Sequence, residues 1–403
     1  MQTKLSPRFA DTPEGREADR ILRACVHCGF CNASCPTYQV LGDELDGPRG
    51  RIYLMKQMLE GHAVSADTRQ HLDRCLTCRN CETTCPSGVR YGRLIDIGRE
   101  LVEQLAPRSL PERALRTVLR RSLLTPILFR PLLHLGRALR PALPSAARRK
   151  VPTAKPTPPR TTATAHRRRM LLLEGCVQPD LAPEINARAK RVLDHLGISL
   201  IAAPEAGCCG ALSQHMAAVD EARAAMRRNI DAWWPHVEAG LEAIVMTASG
   251  CGATVRDYGY HLRDDPGYAE KAARIADLTL DLSEVLARED LSGFTTTQPR
   301  RIVFHPPCSL QHGQQVRGVI EDILSRLGYE LVPFDEAHLC CGSAGSYSLL
   351  QPNLAVQLRD RKLGHIESKQ PELIASANIG CQLHLASGTD LPVVHWIELL
   401  SSD

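Results

Sequence analysis

The stretch CVHCGFCNASCP at residues 25–36 decides the class of the N-terminal fold. The same pattern of cysteines returns as CLTCRNCETTCP at residues 75–86, and both stretches have the form C-x2-C-x2-C-x3-C-P. Three cysteines on one tight loop, followed by a fourth just before a proline, bring several thiols to one place. The chain has 403 residues and sixteen cysteines, and this clustering indicates metal binding.

The spacing of the two motifs is that of bacterial ferredoxins with two [4Fe–4S] clusters, in which the fourth cysteine of each motif ligates the other cluster. Three thiolates on one loop reach three corners of a cubane, and the fourth points away at the start of a helix. We therefore predict two clusters with crossed ligand sets. These sets are Cys25, Cys28, Cys31 and Cys85 for cluster 1, and Cys75, Cys78, Cys81 and Cys35 for cluster 2.

Structural zinc is the alternative metal for these motifs. Zinc sites usually take two pairs of ligands, a pattern that the third and fourth cysteines of each motif do not follow. The insert between the motifs, GPRGRIYLMKQMLEG at residues 47–61, predicts a helix after its proline. Its Arg49, Arg51 and Lys56 either offset the negative charge of the clusters or form a solvated helix face.

The other eight cysteines form an internal repeat. The first copy has Cys176, Cys208, Cys209 and Cys251. The second copy has Cys308, Cys340, Cys341 and Cys381. The text around them repeats as well, with EAGCCGA matching HLCCGSA and TASGCGA matching ANIGCQL.

Each copy alternates apolar strands with helices, which predicts a parallel sheet. We expect strands at 168–175, 198–205 and 242–249 in the first copy, and at 301–307, 329–334 and 372–380 in the second. Helices are expected at 183–196 and 316–327. The cysteines follow the strands, at the sheet edge where ligands bind in such folds. The fold class is therefore mixed α+β and α/β: a mainly helical two-cluster domain, then two α/β modules with parallel strands.

The pattern of the repeat resembles the cysteine-rich CCG domain of heterodisulfide reductase and of flavin-linked dehydrogenase subunits. In that family the cysteines hold an iron–sulfur centre in some members and zinc in others. The resemblance implies a further metal centre at the eight repeat cysteines, and leaves its composition and its assignment to either copy open. Buried, inert cysteines at strand ends are the alternative.

Four segments follow along the chain: a two-cluster domain at 1–106, a basic helical segment and Pro-rich linker at 107–166, and modules at 167–295 and 296–403. Residues 107–169 carry sixteen basic residues and one acid, Glu112. This segment fits a partner subunit, its own domain or an anionic membrane surface. Nucleic acid is a poor fit, because Phe129 is the one Phe, Tyr or Trp that accompanies the charge.

The N-terminal twenty residues contain no apolar stretch, which argues against a secretory signal, and no apolar run approaches the ~20 residues that span a bilayer. We therefore expect a cytoplasmic protein, where clustered thiols bind metal more often than each other. The chain lacks a dinucleotide fingerprint, a P-loop and a flavin domain. We expect no catalytic residue here and substrate chemistry on partner chains.

The order of parts resembles the iron–sulfur subunits of glycolate oxidase (glycolate dehydrogenase) over nearly the whole chain. The words LGDELDGPRGRIYL (41–54) and NIDAWWP (229–235) narrow the resemblance to the glycolate type. It implies partner subunits with FAD that oxidise glycolate to glyoxylate, with electrons passing through this chain to an acceptor such as quinone at the cytoplasmic face of the inner membrane. Open alternatives are a lactate or glycerol-3-phosphate dehydrogenase subunit, a heterodisulfide-reductase-like thiol/disulfide enzyme, and a metal-binding scaffold.

Overall fold

The computed structural model describes residues 1–144, 148–149, 151–153, 165–294, 296 and 300–401. The chain forms two compact units. The N-terminal unit comprises Met1–Val118, Leu212–Val219 and His338–Arg359. The sheet unit comprises Leu119–Ala211, Asp220–Ala337 and Asp360–Asp403. The boundaries at 106, 166 and 295 stay predictions.

The first 144 residues, all of which are described, form helices joined by loops and contain no strand. Proline at the first position starts several of these helices, where its missing N–H costs no hydrogen bond. The helix predicted within 47–61 is confirmed as Pro48–Leu59. The helices are α1 Pro7–Ala10, α2 Pro13–Ala24, α3 Phe30–Ala33, α4 Pro36–Leu41, α5 Pro48–Leu59, α6 Ala66–Asp73, α7 Asn80–Thr84, α8 Tyr91–Leu105, α9 Leu110–Leu124 and α10 Pro126–Leu139.

The first copy of the repeat forms a four-stranded parallel sheet in the order β2-β1-β3-β4. Its strands are β1 Arg168–Leu172, β2 Ile198–Ala202, β3 Ala243–Met246 and β4 Thr279–Asp281. Its helices are α11 Gln178–Leu181, α12 Pro183–His195, α13 Ala211–His215, α14 Val219–Glu238, α15 Ser249–Arg256, α16 Tyr258–His261, α17 Ala269–Leu278 and α18 Leu282–Leu286.

The second copy repeats this topology in the order β6-β5-β7-β8. Its strands are β5 Arg301–His305, β6 Glu330–Leu331, β7 Leu373–Ser376 and β8 Val393–His395. Its helices are α19 Val319–Arg326, α20 Tyr347–Leu350, α21 Pro352–Glu367 and α22 Ile379–Ala386, with a π-helical turn at Ser309–Gln314. The predicted fold class, a helical N-terminal part and two parallel α/β modules, is confirmed.

The two sheets share one hydrophobic core inside the sheet unit. Met170 and Leu172 of β1 belong to the same buried cluster as Ile302 and Phe304 of β5. Each sheet has an apolar face that must be buried against other apolar groups. Packing the two copies together buries the apolar faces of both sheets in one core. His395 Nε2 lies 2.9 Å from the carbonyl oxygen of Thr247, which ties the ends of the two sheets together.

The structure departs from the sequence-based expectations at the shortest elements. Strands β4 and β8 were not predicted, because three residues are too few for a recognisable pattern. The helix expected at 316–327 begins only at Val319, since a π-helical turn comes before it. The basic segment contains the two helices α9 and α10, whereas much of the predicted Pro-rich linker lies outside the described residues.

Candidate functional site

The two N-terminal cysteine motifs adopt the same loop. Cys25 directly follows α2, and Cys85 ends α7 in the second motif. The backbone turns through positive φ at matching places, at His27 (61°) and Gly29 (87°) in the first loop and at Thr77 (52°) and Arg79 (59°) in the second. A non-glycine residue pays about 1–2 kcal/mol for this conformation. Such strain is typical of a loop whose shape serves a ligand.

Each predicted ligand set surrounds its own cavity in the N-terminal unit. The first cavity has an empty volume of about 430 Å³ including its opening to solvent, and the second about 310 Å³. The first is lined by Cys25, Cys28, Cys31, Cys85 and also Cys81. The second is lined by Cys35, Cys75, Cys78 and Cys81. The fourth cysteine of each motif therefore lies at the cavity of the other motif.

The spacing of the eight sulfurs suits a polyatomic group better than one ion. Tetrahedral zinc with Zn–S bonds of about 2.3 Å would bring its sulfurs within about 3.8 Å of one another. In these two motifs, all of whose cysteines are described, every trio of sulfurs includes a pair more than 4.8 Å apart. A larger group with a thiolate at each of four corners matches this donor set.

Burial disfavours the thiolate form of three of these cysteines, and it raises the pKa of Cys25. It raises the pKa of Cys31 to about 11, with Cys25, Cys85 and Cys28 adding to the effect. Burial likewise raises the pKa of Cys81. Because metal ligands must be thiolates, the positive charge of bound iron is what these sites need to ionise. The residues therefore fit an iron–sulfur group.

The three basic residues named in the insert between the motifs lie in different surroundings. Arg49 pairs with Glu44, and Lys56 pairs with Glu60. Arg51 alone is buried, with 1% of its side chain exposed, and its Nη1 lies 3.9 Å from Cys35 Sγ. Of these three residues, Arg51 is therefore the one that places a buried positive charge beside a cysteine of a cavity.

The four cysteines of the first repeat copy gather at the carboxyl ends of β1, β2 and β3. Their side chains are hydrogen-bonded in the series Cys176, Cys208, Cys209 and Cys251. Hydrogen bonds from Cys176 and Cys209 hold the pKa of Cys208 well below its usual range, and the same contact raises that of Cys176. These contacts run pairwise along the series, and no three of the four described sulfurs all lie within 4.8 Å of one another, so metal binding by this copy stays a prediction.

Two buried side chains, Asn229 and Tyr258, hold the first CCG loop in place through hydrogen bonds. Neither was predicted from the sequence. Asn229 accepts from Gly207 N (2.8 Å) and donates to Cys208 O (2.9 Å). Tyr258 Oη donates to Cys209 O at 2.8 Å. Asn229 lies inside the NIDAWWP word, but nothing in that word indicates a contact with the loop.

The structure divides the cysteines of the second copy. Cys308 and Cys381 belong to the sheet unit, whereas Cys340 and Cys341 belong to the N-terminal unit. There Asn80 Nδ2, from the second cysteine motif, donates to His338 O at 3.2 Å. Tyr347 Oη donates to Arg74 O at 3.2 Å, next to Cys75. The second CCG loop thus packs against the Cys75–Cys85 motif within one unit.

Two family models match the chain. A 4Fe-4S dicluster domain matches residues 21–89, and a cysteine-rich domain matches twice, at residues 170–256 and 302–386. Together with the two cysteine cavities and the duplicated parallel sheets, these matches define an iron–sulfur protein of the dicluster type with two cysteine-rich modules.

Curated relatives narrow this class. The chain is 55% identical over 404 residues to the glycolate oxidase iron-sulfur subunit of Escherichia coli (strain K12), covering 99% of this chain and 98% of that protein. It is 30% identical to the probable glycolate oxidase iron-sulfur subunit of Bacillus subtilis (strain 168), covering 92% of this chain and 89% of that protein. Lactate utilization protein A of Geobacillus kaustophilus is 28% identical over 54% of this chain and 92% of that protein.

The chain belongs to the family of glycolate oxidase iron–sulfur subunits. Membership supports an iron–sulfur electron-transfer subunit of an oxidoreductase complex. Among the described residues, no helix is both long and apolar enough to cross a membrane.

Proposed function

We propose that this chain carries electrons in a flavin-dependent glycolate dehydrogenase complex. Partner subunits with FAD would oxidise glycolate to glyoxylate, releasing two electrons and two protons. This chain would pass the electrons singly to an acceptor such as quinone. The identity of 55% along nearly the whole chain supports this proposal most strongly.

The cysteines would hold the groups that carry the electrons. Iron–sulfur clusters exchange one electron at a time, which suits a chain between a two-electron flavin and its acceptor. The proposed ligand sets are those that line the two cavities: Cys25, Cys28, Cys31 and Cys85, then Cys75, Cys78, Cys81 and Cys35. A further centre, of iron–sulfur or zinc, would use the cysteines of the CCG modules.

The basic segment supports a peripheral site on the cytoplasmic face of the inner membrane. Helix α10 exposes aliphatic side chains, among them Ile127 (83% exposed) and Leu135 (56%). Aliphatic surface within a basic segment suits an anionic lipid surface. Co-sedimentation of the purified chain with vesicles of anionic lipid tests this contact.

The test of the main proposal is iron and acid-labile sulfide analysis with EPR of the anaerobically purified chain, followed by reduction through its flavin partners. About eight irons per chain are expected for two cubanes, and more if the CCG modules hold iron. Glycolate should reduce the clusters faster than lactate or glycerol-3-phosphate does. Reduction by lactate alone would favour a lactate dehydrogenase subunit, and turnover of disulfides by the isolated chain would favour a thiol/disulfide enzyme. Zinc without iron would overturn the proposal.

A further inference from the structure

The two N-terminal cavities differ in their exposure to solvent. Cys28, at the first cavity, is the one fully exposed cysteine among the sixteen, all of which are described. Val26 and Phe30 beside it are 68% and 62% exposed. At the second cavity, Cys35, Cys75 and Cys81 are buried and Cys78 is half-buried. The first site is therefore the more exposed of the two at Cys28, while its Cys25 is buried and its Cys31 and Cys85 are half-buried.

The sulfurs at the second cavity accept hydrogen bonds from several groups. Cys75 Sγ accepts from Thr77 N at 3.4 Å and from Tyr91 Oη at 3.7 Å. Cys35 Sγ accepts from Arg51 Nη1 at 3.9 Å, whereas the Thr37 hydroxyl beside it donates to Asp46 O. Donors to ligand sulfurs stabilise the reduced, more negative state of an iron–sulfur group and raise its potential.

Buried positive charge adds to these donors. Arg51 is held by Asp46 and by His71 O, and Arg74 pairs with the same carboxylate. Arg99, also buried, donates to Cys75 O at 2.5 Å. Two guanidinium groups, those of Arg51 and Arg74, thus share the one carboxylate of Asp46. At the first cavity Arg49 is matched by Glu44, and the Met1 ammonium donates to Cys25 O as Arg99 does to Cys75 O.

The hydrogen bonds and positive charge at the second site raise its reduction potential, whereas its burial away from water lowers it. Exposure to solvent stabilises added charge at the first site, whereas burial disfavours it at the second. Asp46 cancels one of the two charges of Arg51 and Arg74, which leaves one positive charge and the hydrogen bonds to sulfur. The balance therefore favours the buried site.

We propose that Arg51 and Tyr91 give the site of Cys35, Cys75, Cys78 and Cys81 the higher reduction potential of the two. Electrons would then enter at the exposed Cys28 site and move inward. The second CCG loop is the next group of thiols, since Asn80 bonds both Ser34 O (3.0 Å) and His338 O (3.2 Å). This inference rests on the proposed function.

A potentiometric EPR titration of the anaerobically purified full chain tests the order. Tyr91→Phe removes one hydroxyl donor and keeps the ring. The loss of a hydrogen bond worth about 0.5–1 kcal/mol should lower the reduced-to-oxidised ratio about twofold to fivefold at a fixed potential near the midpoint. The change should affect only the cluster that is reduced first.

Tyr53→Phe is the matched control, because Tyr53 is 47% exposed and its ring lies 6.4 Å from that of His27 at the other site. It should shift neither potential. The inference is overturned if Tyr91→Phe acts on the cluster that is reduced second, or if it shifts neither. Absence of cluster signals from the wild-type chain would instead refute the proposed function. If Tyr91→Phe fails to fold, Arg51→Gln is the second test: loss of the charge beside Cys35 Sγ should lower only the potential of the cluster that is reduced first, and a shift of the other potential alone would overturn the inference.

Discussion

The two copies of the repeat share a topology, but their CCG loops belong to different units. In the first copy, Cys208 and Cys209 contact the other two cysteines of that copy within the sheet unit. In the second copy, Cys340 and Cys341 belong to the N-terminal unit, where their loop packs against a ferredoxin-type motif. Duplication therefore preserved the sheet while one CCG loop acquired a new neighbour.

The two copies also differ at the ends of the strands that precede their cysteines. His305 at the end of β5 pairs with Ser376 of β7, while the matching positions in the first copy are Leu173 and Met246. His305 Nδ1 lies 3.3 Å from Ser376 Oγ. The second copy thus has a polar pair where the first has an apolar one.

The largest effect is expected from the glycine of each CCG loop. Gly342 has φ of +90°, and a Cβ there would lie 2.6 Å from Ala355 O. Gly210 has φ of +94°, with 3.1 Å to Ala222 O. Left-handed strain and overlap together should cost Gly342→Ala about 3–5 kcal/mol of unfolding free energy.

The matched variant Gly210→Ala should cost less, because its Cβ has more room. Denaturant unfolding of the two apo variants, compared with the wild type, measures both losses. Equal losses would show that the two loops are equally confined, contrary to the comparison.

The next effect concerns the asparagines that brace the loops. Asn229→Ala leaves Gly207 N and Cys208 O without their partner in a fully buried place. Unpaired buried groups cost about 1–3 kcal/mol each, so we expect a loss of about 3 kcal/mol and less metal bound in the first copy.

Asn80→Ala is the matched variant for the second copy, where it removes the bonds to Ser34 O and His338 O. It should instead slow electron transfer out of the N-terminal clusters, measured by stopped-flow absorbance. A loss of first-copy metal in Asn80→Ala would contradict the separate roles of the loops.

A smaller effect is expected from the tyrosines. Tyr258→Phe removes the buried bond to Cys209 O and should cost about 1–2 kcal/mol. Tyr347→Phe removes a longer, partly buried bond to Arg74 O and should cost less than about 1 kcal/mol. Thermal unfolding of both apo variants gives the order, and a larger loss for Tyr347→Phe would reverse it.

The sequence predicted the cysteine chemistry better than the surroundings of the cysteines. Motif spacing predicted that the fourth cysteine of each motif would lie near the first three of the other, because a short loop restricts where its thiols can lie; the ligand sets themselves stay predictions, and Cys81 lines both cavities. It could not show that Arg51 is buried while Arg49 and Lys56 pair at the surface, since all three share one helix. The repeat predicted two similar sheets, but the new neighbour of Cys340 depends on tertiary packing, which has no local pattern.

The smallest effect depends on pH and tests the strand-end difference. Burial, with Lys362 nearby, lowers the pKa of His305 to about 3. Between that value and about 6.5 the unfolded chain binds a proton that the folded chain does not, so the wild type loses stability as pH falls through this window. His305→Leu places in the second copy the residue type that the first copy has at Leu173, and removes this loss. From pH 7.0 to 5.5 the variant should gain about 1 kcal/mol relative to the wild type, measured by urea unfolding of the apo chains. If the unfolding free energies of the wild type and the variant change in parallel with pH, His305 takes up its proton in the folded state as it does in the unfolded chain. His305 would then be as accessible to water as an ordinary surface histidine.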